Sequence, residues 1–182
     1  MSAYNTEGLT RQQGRTRGLI RQAFLDLLFE RNYPAVSMAA VALHADVGRS
    51  TLYEHYHTKD ELFRDVVRTP LAGLAELVGA ADVPGHFDEL LRHFRDNQAL
   101  CRVLVYLPAY ESMQKVLAEL IETRLDTPGR VSLSLVATQI AAAQFAILTP
   151  WILGQVAVSP GDLAVALHRS SNAIAEALAA RP

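Results

Sequence analysis

The chain has 182 residues, 50% of them apolar or aromatic, and a formal charge of −2 from 17 basic and 19 acidic side chains. This composition supports a sizeable core and excludes a disordered chain. The near-neutral charge excludes a general attraction to nucleic acid, so any such attraction must come from a local surface. A single cysteine, Cys101, excludes an intrachain disulfide framework, and its apolar surroundings favour a buried thiol.

Residues 1–10 have little hydrophobic periodicity and read as a mobile lead without an apolar secretory core, which fits a cytoplasmic protein. Arg11, Arg15, Arg17 and Arg21 stand against only Glu7, which suits either a phosphate-facing arm or a solvated terminus. Thr16 is the expected cap of a first helix whose Ile20, Ala23, Phe24 and Leu27 recur at helical spacing, with Leu28 widening the face. That helix should end at Arg31-Asn32-Tyr33-Pro34, because proline cannot continue it.

Ser37 can cap a second helix with an inward stripe of Met38, Val41, Ala42 and Ala45. Asp46-Val47-Gly48 interrupts the pattern, and a short helix follows from Arg49 through His55. Val47 and Leu52 can close the space between these two helices, leaving Arg49, Ser50, Thr51, Tyr53, Glu54 and His55 outside. Such a corner suits a helix-turn-helix whose second helix enters a DNA major groove, although short helical hairpins also serve as scaffolding.

The next helix should start near Lys59 or Asp60, with Thr58 and Glu61 as a capping box, and carry Leu62, Phe63, Val66 and Val67 inward. Pro70 predicts a kink, after which Leu71, Leu74, Ala75 and Val78 resume the stripe. Residues 79–85 are the clearest domain punctuation. Beyond them, Phe87, Leu90, Leu91 and Phe94 mark one helix face, and Leu100, Cys101, Val103 and Leu104 a short element. A helix over 109–124 carries Met113, Val116, Leu117, Leu120 and Ile121, and Asp126-Thr127-Pro128-Gly129 makes a turn.

A long apolar helix is expected over 132–149, and a last one from Ser159-Pro160 through Leu163, Leu167, Ile174 and Leu178. Residues 131–161 carry no charge, but Gln139, Gln144, Gln155, Pro150 and Pro160 interrupt them, so a buried helix and turn are expected, not a membrane span. These last two helices suit either an internal hairpin or a homodimeric four-helix interface. The fold class is all-α: a three-helix amino-terminal domain over 1–63 and a helical domain over 64–182.

The letters of the corner are more specific than its pattern. Ser37 and Met38 before Val41-Ala42, Val47 before Thr51-Leu52-Tyr53, then His55-Tyr56 and Lys59-Asp60-Glu61-Leu62 make residues 16–63 resemble the DNA-binding domain of TetR-type (tetracycline-repressor-like) transcriptional regulators. The remaining chain is similar only in helical layout. Three positions depart from the family pattern: Asp46 and Ser50 stand at common glycines, and Gly48 at a frequent serine cap. Asp46 could itself cap the helix or repel phosphate.

Arg49, at the amino end of its helix, can donate two bonds to guanine, and Thr51 can meet a phosphate, a base or a thymine methyl. The resemblance gives Tyr53 and Lys59 contacts to the DNA backbone, with His55 beside them, and makes Tyr56 an inward plug. The expected DNA-binding set is Arg15, Arg17, Ser37, Arg49, Ser50, Thr51, Tyr53, His55 and Lys59. The resemblance further implies double-stranded operator DNA, a homodimer through the carboxyl-terminal helices, a small-molecule effector, and repression more often than activation.

For that effector, Phe87, Leu91, Phe94, Leu104, Met113, Leu117, Phe145 and Trp151 are the expected apolar wall. Tyr106, Tyr110, Gln139 and Gln144 are the sparse polar anchors, and each of these twelve residues also suits plain core packing. No enzyme is expected: Cys101 and His93 are eight positions apart, the histidines form no compact metal motif, and no glycine-rich phosphate loop implies a cofactor. A nonregulatory helical scaffold or partner adaptor is the alternative.

Overall fold

The structure, a computed structural model, describes residues 3–31, 33–97, 105, 108–125 and 131–179. Among them are eight α-helices and no strand. The chain divides into two compact units, Met1–Val66 and Val67–Pro182.

The first unit holds α1 (Ala3–Glu30), a 3-10 turn (Tyr33–Ala35), α2 (Met38–His44), α3 (Arg49–His55) and the opening turns of α4 (Lys59–Ala75). Ile20, Phe24, Val41, Leu52, Leu62 and Phe63 are wholly buried, so each helix spends its apolar stripe on one shared core. Phe24, Tyr33 and Phe63 meet edge-on, with Tyr33 and Phe63 centred 5.2 Å apart.

Helix α1 begins at Ala3 and not at a Thr16 cap, which corrects the expected mobile lead and puts Arg15 and Arg17 on a helix. Thr16 sits inside it, its hydroxyl donating to the Gln12 carbonyl at 3.0 Å, as threonine does in helix interiors. Ser37 does cap α2, accepting from the Ala40 amide at 3.2 Å. At the start of α4, Thr58 Oγ1 accepts from the Glu61 amide at 3.1 Å, while Glu61 Oε2 accepts from the His57 amide at 2.8 Å. The reciprocal bond thus lands one residue earlier than in the usual capping box.

The turn between α2 and α3 explains one departure from the family pattern. Asp46 has φ 53°, in the left-handed region that favours glycine. It does not cap α3; the cap position is Gly48, which has no side chain to offer the free amides.

The second unit comprises the rest of α4, α5 (Phe87–Asp96), α6 (Ala109–Glu122), α7 (Leu133–Ile152) and α8 (Pro160–Ala179). Helix α7 is central, packed between α6 and α8, and α5 also lies against α8. Gly73 lets α4 approach α5, since a Cβ there would come within 2.6 Å of Leu90 Cδ2. The segment between α4 and α5 is fastened by α8: Asn172 accepts from the Gly79 amide at 2.8 Å and donates to the Leu77 carbonyl at 2.9 Å.

Helix α7 starts at the expected Ser132 cap but runs through Pro150 to Ile152, and α8 starts at Pro160 with Ser159 accepting from the Asp162 amide at 3.1 Å. Among the described residues α7 is the one helix long and apolar enough to cross a membrane, yet half of its most apolar stretch is buried. Its Gln144 is fully buried and donates to the Leu74 carbonyl at 3.2 Å and to Ser171 Oγ at 2.9 Å, the pattern of a core helix. The expected element around Cys101 and the expected turn at Asp126 lie outside the described residues.

Replacing Asp46 with glycine should remove a backbone cost of up to about 1 kcal/mol. Urea unfolding should then show a higher midpoint with an unchanged slope. A lower midpoint would mean that the aspartate side chain contributes more than its backbone costs.

Candidate functional site

Helix α3 has one wholly buried residue, Leu52, and its chain continues into the buried Tyr56. Arg49, Ser50, Tyr53 and Glu54 are exposed, and Thr51 and His55 are half-buried. The outer face therefore presents a guanidinium at its first turn and hydroxyls along its length. No described residue forms an ion pair with Arg49. On one side, an open groove is lined by Gln13, Gly14 and Arg17 of α1 with Glu54 and His55 of α3. On the other, Ala39, Ala40, Leu43, Val47 and Arg49 line a shallow hollow, with Leu43 84% exposed.

What holds α3 in place is a hydrogen-bonded trio. Tyr56 donates its hydroxyl to Asp65 Oδ2 at 2.5 Å. Arg17 donates Nη2 to Asp65 Oδ1 at 2.7 Å, and its Nε lies 3.0 Å from the Tyr56 hydroxyl and 3.2 Å from Asp65 Oδ2. Arg21 adds a longer contact at 3.7 Å. The trio joins α1, the end of α3 and α4.

Burial, reinforced by the bond to Asp65, pushes the Tyr56 hydroxyl up to about 12, so it remains a donor at any physiological pH. For Asp65, burial alone would raise the carboxyl, but the bonds from Tyr56 and Arg17 and the arginine charges outweigh it and hold it below its ordinary value. The Arg17 guanidinium is raised in turn, first by its bond to Asp65 and then by Tyr56.

Two of the residues expected at the DNA also have partners within the domain. Arg17 is engaged inside the domain, although its side chain remains 54% exposed. Lys59 donates Nζ to the Tyr33 and Val36 carbonyls, each at 3.0 Å, and lies 4.3 Å from the Tyr33 ring centre. It thereby fastens the turn before α2, where the Tyr33 carbonyl also accepts from the Val36 amide at 3.2 Å. Arg15 and Ser37 are exposed, the latter with its oxygen occupied as a cap. Tyr56 points inward, as the resemblance implied.

In the second unit a cavity of about 50 Å³ lies among Val67, Pro70, Leu71 and Leu74 of α4 and Phe145, Leu148, Thr149 and Ile152 of α7, completed by Phe94, Val105 and Met113. Of the expected effector residues it gathers Phe94, Met113 and Phe145. Phe87, Leu91 and Leu117 are wholly buried but do not line it. Tyr110 stands edge-on to Phe145 with centres 5.2 Å apart. Gln144 is committed to Leu74 and Ser171, and Gln139 is exposed, on a different face of α7 from the lining residues. Trp151 donates Nε1 to the Val158 carbonyl at 2.9 Å, with the Arg95 guanidinium 5.9 Å from its ring centre. Leu104 and Tyr106 lie outside the described residues. The other eight lining residues were not in the expected set; for Pro70 and Thr149 the available signal was a proline inside each of two apolar helices.

Residues 20–66 match the family model of bacterial regulatory proteins of the tetR family. This amino-terminal unit is a TetR-family helix-turn-helix domain. The match takes in the whole TetR-type corner from Ser37 to Leu62 but stops short of the second unit. A curated relative, the HTH-type transcriptional regulator YxbF of Bacillus subtilis (strain 168), is 29% identical over 80 residues, which are 43% of this chain and 21% of that protein. The match thus spans about a fifth of that relative's length.

Among solved structures, a TetR transcriptional regulator from Streptococcus agalactiae 2603V is 22% identical with a TM-score of 0.60, covering 92% of this chain and 99% of its own. NalD, the secondary repressor of the MexAB-OprM multidrug efflux pump in Pseudomonas aeruginosa, is 16% identical with a TM-score of 0.53, covering 88% and 95%. The dihydroxyacetone kinase operon activator DhaS is 22% identical with a TM-score of 0.51, covering 91% and 98%. At these identities the likeness is one of fold, and it extends the TetR-type architecture over both units.

Replacing Asp65 with asparagine should cost about 1–2 kcal/mol at neutral pH, from charge-assisted bonds to a half-exposed arginine. Because the folded carboxyl lies below its unfolded value, the unfolded chain takes up this proton first as pH falls. The contribution is complete above the ordinary carboxylate range and disappears as pH drops through the folded value. Urea unfolding across acid pH should therefore show the gap between wild type and variant narrowing; a constant gap would contradict the clamp.

Proposed function

We propose that this protein is an effector-responsive transcriptional regulator that binds a palindromic operator as a homodimer and is released by a small apolar or amphipathic molecule. The observation that carries this reading is the outer face of α3. Arg49 stands unpaired among the described residues at the helix's amino end, beside exposed Ser50 and Tyr53, while Leu52 and Tyr56 anchor the opposite side. A guanidinium so placed can donate two bonds to guanine N7 and O6, and the hydroxyls of Thr51 and Tyr53 can meet phosphates.

Dimerisation through α7 and α8 gives the reader its symmetry. Their outward residues are mostly small, with Leu135 and Val165 exposed among them, so two copies can approach closely. Two half-sites engaged in one event add affinity and restrict spacing. An effector works only if it binds the released state more tightly than the DNA-bound one. Repression is the simpler direction, because occupying a promoter requires binding alone. The fold itself is neutral on this, since NalD is named a repressor and DhaS an activator.

Fluorescence anisotropy with a selected duplex and a scrambled one tests the reader. Arg49→Ala should lower the ratio of specific to nonspecific affinity by about 5- to 150-fold per contacted base pair, the equivalent of about 1–3 kcal/mol. Thr51→Ala should act in the same direction but less. An unchanged ratio in both variants would remove α3 as the reading helix.

A further inference from the structure

The cavity in the second unit contains one polar side chain. Thr149 Oγ1 is buried there and has no hydrogen-bond partner among the described residues. Two other helical threonines behave differently: Thr16 donates back to the Gln12 carbonyl at 3.0 Å and Thr138 to the Ser134 carbonyl at 2.8 Å. Local helix chemistry therefore offers Thr149 a partner that it does not take. A buried hydroxyl left unpaired carries a desolvation cost that a matching group would remove.

The surroundings say what such a group must be attached to. All ten other lining residues are apolar, so a charged occupant would lose its hydration and find no counter-charge. Pro70 lines one wall and Pro150 follows Thr149 in the other, and each proline removes a rung of helical hydrogen bonding. The space lies where each helix continues past a proline with one hydrogen bond fewer. Its volume of about 50 Å³ is roughly a third of the ~150 Å³ that accepts a benzene ring, so two or three non-hydrogen atoms enter without rearrangement. The flexible thioether of Met113 in the wall can yield room for one or two more.

We propose that this cavity is the seat of a small uncharged ligand, a short hydrocarbon skeleton bearing one hydroxyl or carbonyl oxygen that pairs with Thr149 Oγ1. The inference rests on the effector reading above and gives it a chemical class. Thr149 is its specificity residue, since its hydroxyl can donate to a carbonyl or accept from an alcohol.

The test uses the full chain with two probes, 1-propanol and xenon, followed through the ¹³C methyl resonances of Met113 and Ile152. Ligands of so few atoms bind in the high micromolar to millimolar range at best, so titrations extend to tens of millimolar, roughly. Both probes should shift these methyls saturably in the wild type. Thr149→Val should leave xenon binding unchanged, weaken 1-propanol about fivefold or more, and raise the melting temperature by removing the unpaired hydroxyl. Thr149→Ser should keep the preference for the alcohol. Equal 1-propanol affinity in wild type and the valine variant would overturn the role of Thr149, and methyls unmoved by either probe would overturn the seat. Operator affinity measured without any probe keeps the two claims apart, because its absence would strike the regulator reading alone.

Discussion

The amino-terminal unit depends on one part-buried contact, the hydroxyl of Tyr56 given to Asp65 with Arg17 laid across both. A helix of seven residues such as α3 is far too short to be stable by itself. Burial of Leu52 holds its middle, but a single apolar anchor leaves it free to roll. Tyr56 fixes the carboxyl end, and the carboxylate that receives its proton belongs to α4 while the guanidinium that covers it belongs to α1. Three helices thus agree on one orientation, and the direction in which Arg49 points follows from it.

The same contact decides how the local charges are used. Arg17, an expected phosphate ligand on a basic amino-terminal helix, also neutralises the partly buried carboxylate of Asp65. Lys59 similarly serves two backbone carbonyls. Arg15 and Arg49 stay exposed on this unit, in a chain whose overall charge gives no general affinity for nucleic acid. Sequence reading in such a domain depends on a few well-aimed donors more than on bulk charge.

How much of this was legible beforehand follows the range of the interactions. Ser37, the Thr58–Glu61 pair, and Ser159 before Pro160 were readable because a cap and its amide lie within a few residues. Thr16 misled because a threonine that caps a helix and one that bonds back inside it are the same letter. The partners of Arg17 and Lys59 within the domain were hidden for a different reason: Asp65 is 48 positions from Arg17, and the partners of Lys59 are backbone carbonyls, which no side-chain pattern reveals. In the second unit the apolar stripes were visible, but which stripes leave space between them depends on how α4 and α7 meet. Phe94, Met113 and Phe145 of the expected wall line that space, while Thr149, an ordinary letter in an apolar helix, was not expected there.

The most direct measurement is selection of duplexes from a random pool by the intact protein, followed by methylation interference on the winners. The expected result is an inverted repeat with half-site centres about one helical turn, 10–10.5 base pairs, apart and protected guanine N7 atoms in each major groove. No enrichment at low and moderate salt, or enrichment without symmetry or major-groove protection, would contradict a dimer that reads DNA through the outer face of α3.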